Sequence, residues 1–192
     1  GAYKGVAPRA RIISLKVLNA DGSGLTSSVI QAIEFATANK NALGIDIINL
    51  SLGHPSFEPA VTDPLVQAVE AAVKAGIVVV VSAGNMGKNP TTGQVGYAGI
   101  LVPGNAPSAI TVGAADTKST VTRADDSIPD YSSRGPTMPD ARAKPDIVAP
   151  GHRLISNIVA SSTLYTGYPA YQVNTNGSPF MNARRSAATG LR

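Results

Sequence analysis

Cysteine is absent from the 192 residues, which excludes a disulfide framework, a thiolate metal site and a cysteine nucleophile. Tryptophan is absent too, and aromatic residues make up only 5% of the chain, poor material for stacking nucleobases. The two histidines, His54 and His152, are too few for a histidine-rich metal centre. No apolar run approaches the roughly 20 residues a membrane-spanning helix needs; the longest is Ile77–Val81. Charge is scarce as well, at 15% of residues. The net charge of +4 is concentrated in Arg184, Arg185 and Arg192, so the rest of the chain is nearly neutral and offers no basic surface for nucleic acid. The chain opens on Gly1 rather than Met and carries no targeting segment, so upstream sequence is expected to have been removed.

Valine, isoleucine and alanine are plentiful. With 43% apolar residues and little charge, the chain reads as one folded domain. Arg11–Leu18 reads as a strand, and Ala20–Gly24 as a turn. Leu25–Asn39 carries a helical apolar stripe, with Thr26 or Ser27 as N-cap. Ile45–Ser51 is a second strand, and Pro64–Ala75 a second helix with Gly76 at its C-terminal cap. Ile77–Ser82 is a strand apolar on both faces, as in a parallel sheet covered on both sides. Asn85–Ser108 reads as an irregular loop, Ala109–Ala114 and Asp146–Ala149 as strands, and Ser127–Pro145 and Ser161–Pro179 as polar, turn-rich stretches. This alternation predicts an α/β domain with a mostly parallel sheet and right-handed crossovers.

Ligands in such sheets bind beyond the carboxyl ends of the strands. That rule selects Gly22–Gly24, Ser51–Gly53, Ser82–Asn85 and Pro150–His152, where small residues let another backbone approach. No phosphate-binding glycine loop, dinucleotide fingerprint or Gly-x-Ser-x-Gly elbow is present, which argues against a nucleotide-binding domain.

A series of short words then becomes informative. They are Gly5-Val6-Ala7-Pro8, Lys16-Val17-Leu18, Asp21–Gly24, Ile48–Gly53, Ser82–Asn85, Ile110–Ala114, Ser132–Pro136 and Lys144–Gly151. In this order they resemble the subtilisin-like serine proteases, the subtilases, over residues 5–151, with 152–192 an irregular C-terminal part. The resemblance implies a three-layer α/β/α fold with a mostly parallel central sheet, serine endopeptidase chemistry on peptide or protein substrates, and a secreted protein. No nucleic-acid or membrane partner is expected, from the charge distribution and the short apolar runs. By the same likeness, Asn85 is the amide that stabilises the oxyanion, Gly22, Ser23, Gly24, Ser51, Leu52 and Gly53 pair with an extended substrate, and Ser82, Ala83 and Gly84 form a wall of the specificity pocket. The Val102–Pro103 bond is expected to be cis. Calcium is common in the family, but no metal ligand is assignable here.

The chain also departs from the family. A subtilase uses Asp, His and Ser in that order, and the Asp and His motifs lie upstream of the Gly-Val-Ala-Pro word, which starts here at Gly5. His54 and His152 read as ordinary loop histidines, and Asp21 belongs to the substrate loop. The expected Gly-Thr-Ser-Met-Ala word is missing. In one register, the preferred one, Phe180-Met181 is a short strand and Ser186 takes the nucleophile position, with Arg184-Arg185 where Gly-Thr belongs. In another, Ser178 is the serine and Pro179 starts the helix. In a third, neither serine is equivalent. Arginines at a packed helix start are unfavourable, so a rearranged C-terminus is expected. The sequence therefore reads as an incomplete subtilase catalytic domain, inactive as it stands, or as a non-catalytic peptide-binding module.

Overall fold

A computed structural model describes residues 5–175 and 178–183. Helix α1 (Thr26–Ala38) and the single turn α2 (Lys40–Leu43) lead into β1 (Ile47–Leu50). Helix α3 (Pro64–Lys74) leads into β2 (Val78–Ser82), followed by β3 (Ile110–Ala115) and β4 (Ile147–Pro150). The four strands form a parallel sheet in the order β1-β2-β3-β4.

Local sequence explains α3 well. The Asp63 carboxylate accepts from the Leu65 and Val66 amides at 2.9 and 3.1 Å, and Pro64 fills the first turn, where its missing N–H costs nothing. The helix stops at Gly76, whose φ of 84° lets its own amide and that of Ile77 return to the Val73 and Ala72 carbonyls. Leu65, Val66, Val69 and Ala72 fall on one face and are buried. The expected Thr26 or Ser27 cap of α1 does not form. Leu25 occupies the cap position with no side-chain hydrogen bond, and the helix is held instead by packing Val29, Ile33 and Ala36 into the same core as α3.

The helices cover one face of the sheet. Leu50, Val79 and Val81 lie in the core they form. On the opposite face Ile47 pairs with Val78, and Ile110 pairs with Val80. Ile47, Val78, Ile110 and Ile147 there are 63%, 46%, 39% and 53% exposed. The doubly apolar pattern of β2 is thus real, but among the described residues no helix covers the second face.

Two expectations need correction. Arg11–Leu18 runs without a strand partner among the described residues, because a strand exists only where a neighbour takes its hydrogen bonds. The C-terminal region is not merely turn-rich. β5 (Leu154–Asn157), α4 (Thr163–Gly167), β6 (Gln172–Thr175) and β7 (Ser178–Ala183) build a second, antiparallel sheet in the order β5-β7-β6. The β5–β7 pairing is non-local, while β6 and β7 pair as near neighbours from Thr175 with Ser178 to Gln172 with Met181, and the strands are too short and polar to announce themselves. Phe180-Met181 does lie in a strand. Ser178 and Pro179 lie in that strand as well, so no helix starts at Pro179.

Candidate active site

β1 and β2 are parallel, so the segments that follow them, Ser51–Gly53 and Ala83–Asn85, leave the sheet at the same end. Leu101 and Val102 join them. The Leu101 amide donates to the Ala83 carbonyl at 3.0 Å, and His54 and Val102 exchange both backbone hydrogen bonds, at 3.1 and 2.9 Å. Close approach requires glycine at Gly53, where a Cβ would lie 2.7 Å from the Val102 carbonyl oxygen. The Val102–Pro103 bond is cis, as the resemblance implies.

Ser82 ends β2, and Ala83 is buried. Gly84 has φ 106°, and a Cβ there would lie 2.6 Å from Leu101 Cγ and 2.9 Å from Ser133 Oγ. Asn85 follows, half-buried, and its side-chain amide has no hydrogen-bond partner among the described residues. Its two neighbours are fixed from outside. The Ser133 N–H donates to the Gly84 carbonyl at 3.0 Å, and the Met86 N–H donates to Ser133 Oγ at 3.0 Å. One residue further on, the Gly87 N–H donates to the Tyr131 carbonyl at 3.0 Å, and the Arg134 guanidinium donates to the Gly87 carbonyl at 3.1 Å. Ser132 Oγ accepts from the Ala114 N–H on β3 at 2.9 Å, which ties the brace to the sheet. Ser133 belongs to the Ser132–Pro136 word, but no local sequence pattern assigns it a role. Its one signal was membership of that word.

The turn at Gly22–Gly24 precedes α1. It is closed by Asn19 N–H to the Ser23 carbonyl at 2.7 Å and by Gly22 N–H to the Asn19 carbonyl at 3.1 Å. Gly22 has φ 79°, and Asp21 accepts from both the amide and the hydroxyl of Ser23. Asp21 is therefore occupied in shaping the turn. Ser186 lies outside the described residues.

Both histidines have local partners. His54 is buried, with Nδ1 2.7 Å from the Pro55 carbonyl oxygen and its ring stacked on Phe57. His152 stacks on Tyr131, whose hydroxyl is 3.3 Å from His152 Nδ1, and its Nε2 is 4.0 Å from Asp116 Oδ2. Hydrogen bonds from Lys118 hold the Asp116 carboxyl below the usual range, and partial burial beside Asp116 and Asp130 pushes the Tyr131 phenol up. Among the described residues no three His, Asp or Glu side chains converge on a point that would hold a metal ion, so calcium is assigned no ligands.

A parallel α/β sheet whose carboxyl end carries a braced asparagine next to Gly84 defines the class: a subtilisin-like α/β domain. Comparison with known proteins agrees. The model of the Subtilase family matches residues 1–183, and the chain belongs to that family. It is 42% identical over 161 residues to serine protease AprX of Bacillus subtilis (strain 168), covering 81% of this chain and 35% of that protein. It is 35% identical over 176 residues to subtilisin E of the same organism, covering 91% of this chain and 38% of that protein. Among solved structures, the S41 psychrophilic protease superposes with a TM-score of 0.63 at 30% identity, over 80% of this chain and 47% of that one. The fold is thus the three-layer α/β/α subtilisin-like fold, of which the described residues supply the sheet and one helical layer. The chain spans little more than a third of the length of these two relatives.

Proposed function

We propose that these residues form the substrate-cradling and oxyanion-stabilising part of a secreted serine endopeptidase acting on peptides or proteins. The observation that carries this is the Asn85 amide, free of partners among the described residues while Ser133 fixes the backbone on both sides of it. Acyl transfer passes through a tetrahedral intermediate whose oxygen becomes negative. A donor held in place before the reaction stabilises that charge without having to reorganise. In this reading Ser51–Gly53 and Gly22–Gly24 add their backbones to an extended substrate, and Ser82–Gly84 walls the pocket for one side chain. Ser186 is the nucleophile equivalent. No residue among the 192 is assigned as its base or as the acid that orients the base, so these residues alone do not complete a triad.

A second reading, a non-catalytic peptide-binding module, is favoured by Arg184-Arg185 standing where the family has Gly-Thr. One experiment separates the two. The protein from the full reading frame is assayed on a chromogenic peptide, beside its Asn85→Ala variant. For the protease, kcat falls in the variant while KM changes little, because the amide acts only on the developing oxyanion. Peptide binding without turnover in the full protein selects the binding module. Turnover with an unchanged kcat in Asn85→Ala removes Asn85 from the reaction.

A further inference from the structure

One side chain bridges the segments that follow β1 and β2. The Leu101 amide donates to the Ala83 carbonyl at 3.0 Å, which sets Leu101 alongside Ser82–Gly84. From there its side chain reaches two glycines, one in each segment. A Cβ on Gly53 would lie 3.1 Å from Leu101 Cβ and 3.5 Å from Leu101 Cδ1. A Cβ on Gly84 would lie 2.6 Å from Leu101 Cγ and 2.9 Å from the same Cδ1. One methyl group therefore takes the space that both glycines leave open. The leucine is also held in place. Ser133 Oγ lies 2.9 Å from the same point over Gly84, and a Cβ on Gly104 would lie 2.9 Å from both the Leu101 and the Ser82 carbonyl oxygens. Leu101 is nevertheless only half-buried, so part of it faces outward rather than into the core.

We propose that Leu101 determines specificity: its side chain fills the inner part of the pocket between Ser51–Gly53 and Ser82–Gly84. The substrate residue held there is then limited to a small side chain, that of glycine, alanine or serine. This rests on the reading above in which the two segments cradle a substrate. A branched or aromatic side chain would need the volume of Leu101 Cδ1, and displacing that methyl means moving it off two backbones and past Ser133. A methyl or hydroxymethyl group is short enough to stop above it. The leucine floor carries no charge and no hydrogen-bonding group, so it gives a lysine or glutamate side chain nothing to offset its desolvation.

The test uses the protein from the full reading frame and chromogenic peptides that differ only in the residue whose carbonyl is attacked, alanine or phenylalanine. The kcat/KM values are expected to favour alanine by about tenfold or more, the discrimination that a methylene or more gives in a tight pocket. Leu101→Ala is expected to shift that ratio toward phenylalanine by about tenfold. Leu101→Val removes one methylene, shifts the ratio the same way by less, and serves if the alanine variant does not fold. If the protein binds without cleaving, dissociation constants of the same peptides as free acids replace the rates, and the same order supports the proposal. Phenylalanine equal to or ahead of alanine in the parent overturns the role of Leu101 and leaves the cleft reading standing. A ratio that neither variant moves does the same. Neither turnover nor binding of any peptide overturns the cleft reading, and the role of Leu101 with it.

Discussion

Ser133 holds the backbone on both sides of Asn85: its N–H donates to the Gly84 carbonyl at 3.0 Å, and its hydroxyl oxygen accepts from the Met86 N–H at 3.0 Å. The two are 48 positions apart in sequence, and Ser133 is 1% exposed. In the proposed reading Asn85 is an oxyanion donor, which is useful only if its position is set before charge develops, and the backbone around Asn85 is held by a residue from a distant loop.

Ser133→Ala therefore leaves the Met86 N–H without its acceptor in a site where water cannot easily replace it. The expected cost is about 1–3 kcal/mol. Urea unfolding checks this through a lower midpoint at an unchanged slope. A variant as stable as the parent would mean that the hydroxyl contributes nothing to this loop.

Gly84→Ala meets two obstacles. The backbone has φ 106°, and the new Cβ would lie 2.6 Å from Leu101 Cγ and 2.9 Å from Ser133 Oγ. Strain and overpacking together are expected to cost about 2–4 kcal/mol, more than the loss of the Ser133 hydroxyl. The order of the two variants in thermal unfolding is the measurement. Equal stability for Gly84→Ala and the parent would show that the loop relaxes freely.

Asp146 gives a pH dependence with a definite sign. Partial burial acts to raise its pKa, but hydrogen bonds from Lys144 Nζ at 2.7 Å and the Thr111 N–H at 2.7 Å outweigh it and hold the carboxyl below the usual range. A lowered folded-state pKa adds stability that is fully present above the unfolded value of about 3.9 and is lost as pH falls through the folded value. Unfolding temperature should therefore drop on acidification below about pH 4, and Asp146→Asn should remove part of that drop. An identical acid profile for the variant would count against the role of Asp146. The carboxylate is 39% exposed, so screening limits the size of the effect.

The isolated 192 residues are expected to show no hydrolysis of a generic chromogenic peptide above background. A rate that Ser186→Ala abolishes would overturn this and would locate the nucleophile at the same time.

Much of the fold was legible because its signals are local. The Asp63 cap, the Pro64 start, the Gly76 stop and the apolar runs of β1, β2 and β3 each depend on residues within a turn or two of one another. The Val102–Pro103 geometry came from likeness to a family. The errors share a different cause. Arg11–Leu18 has every property of a strand except a neighbour, and pairing is not a property of one segment. Leu25 displaced Thr26 and Ser27 as the cap of α1 because packing against α3 set where the helix begins. The antiparallel sheet of β5, β6 and β7 was missed because β5 matches β7 across up to 29 positions of chain, as Leu154 does with Ala183, and because β6 and β7, though close in sequence, are short and polar.

Cysteine is absent, and the two histidines both have local partners. By itself the sequence determined the family, the strand and helix types, and the identity of the small residues at the carboxyl end of the sheet, because these follow from short-range periodicity and from words read in order. Only the tertiary structure decided that Ser133 braces Asn85, that Leu101 and Val102 join the segments after β1 and β2, and that β1 keeps an open edge. Those are relations between residues tens of positions apart, and chain folding rather than local propensity brings them together.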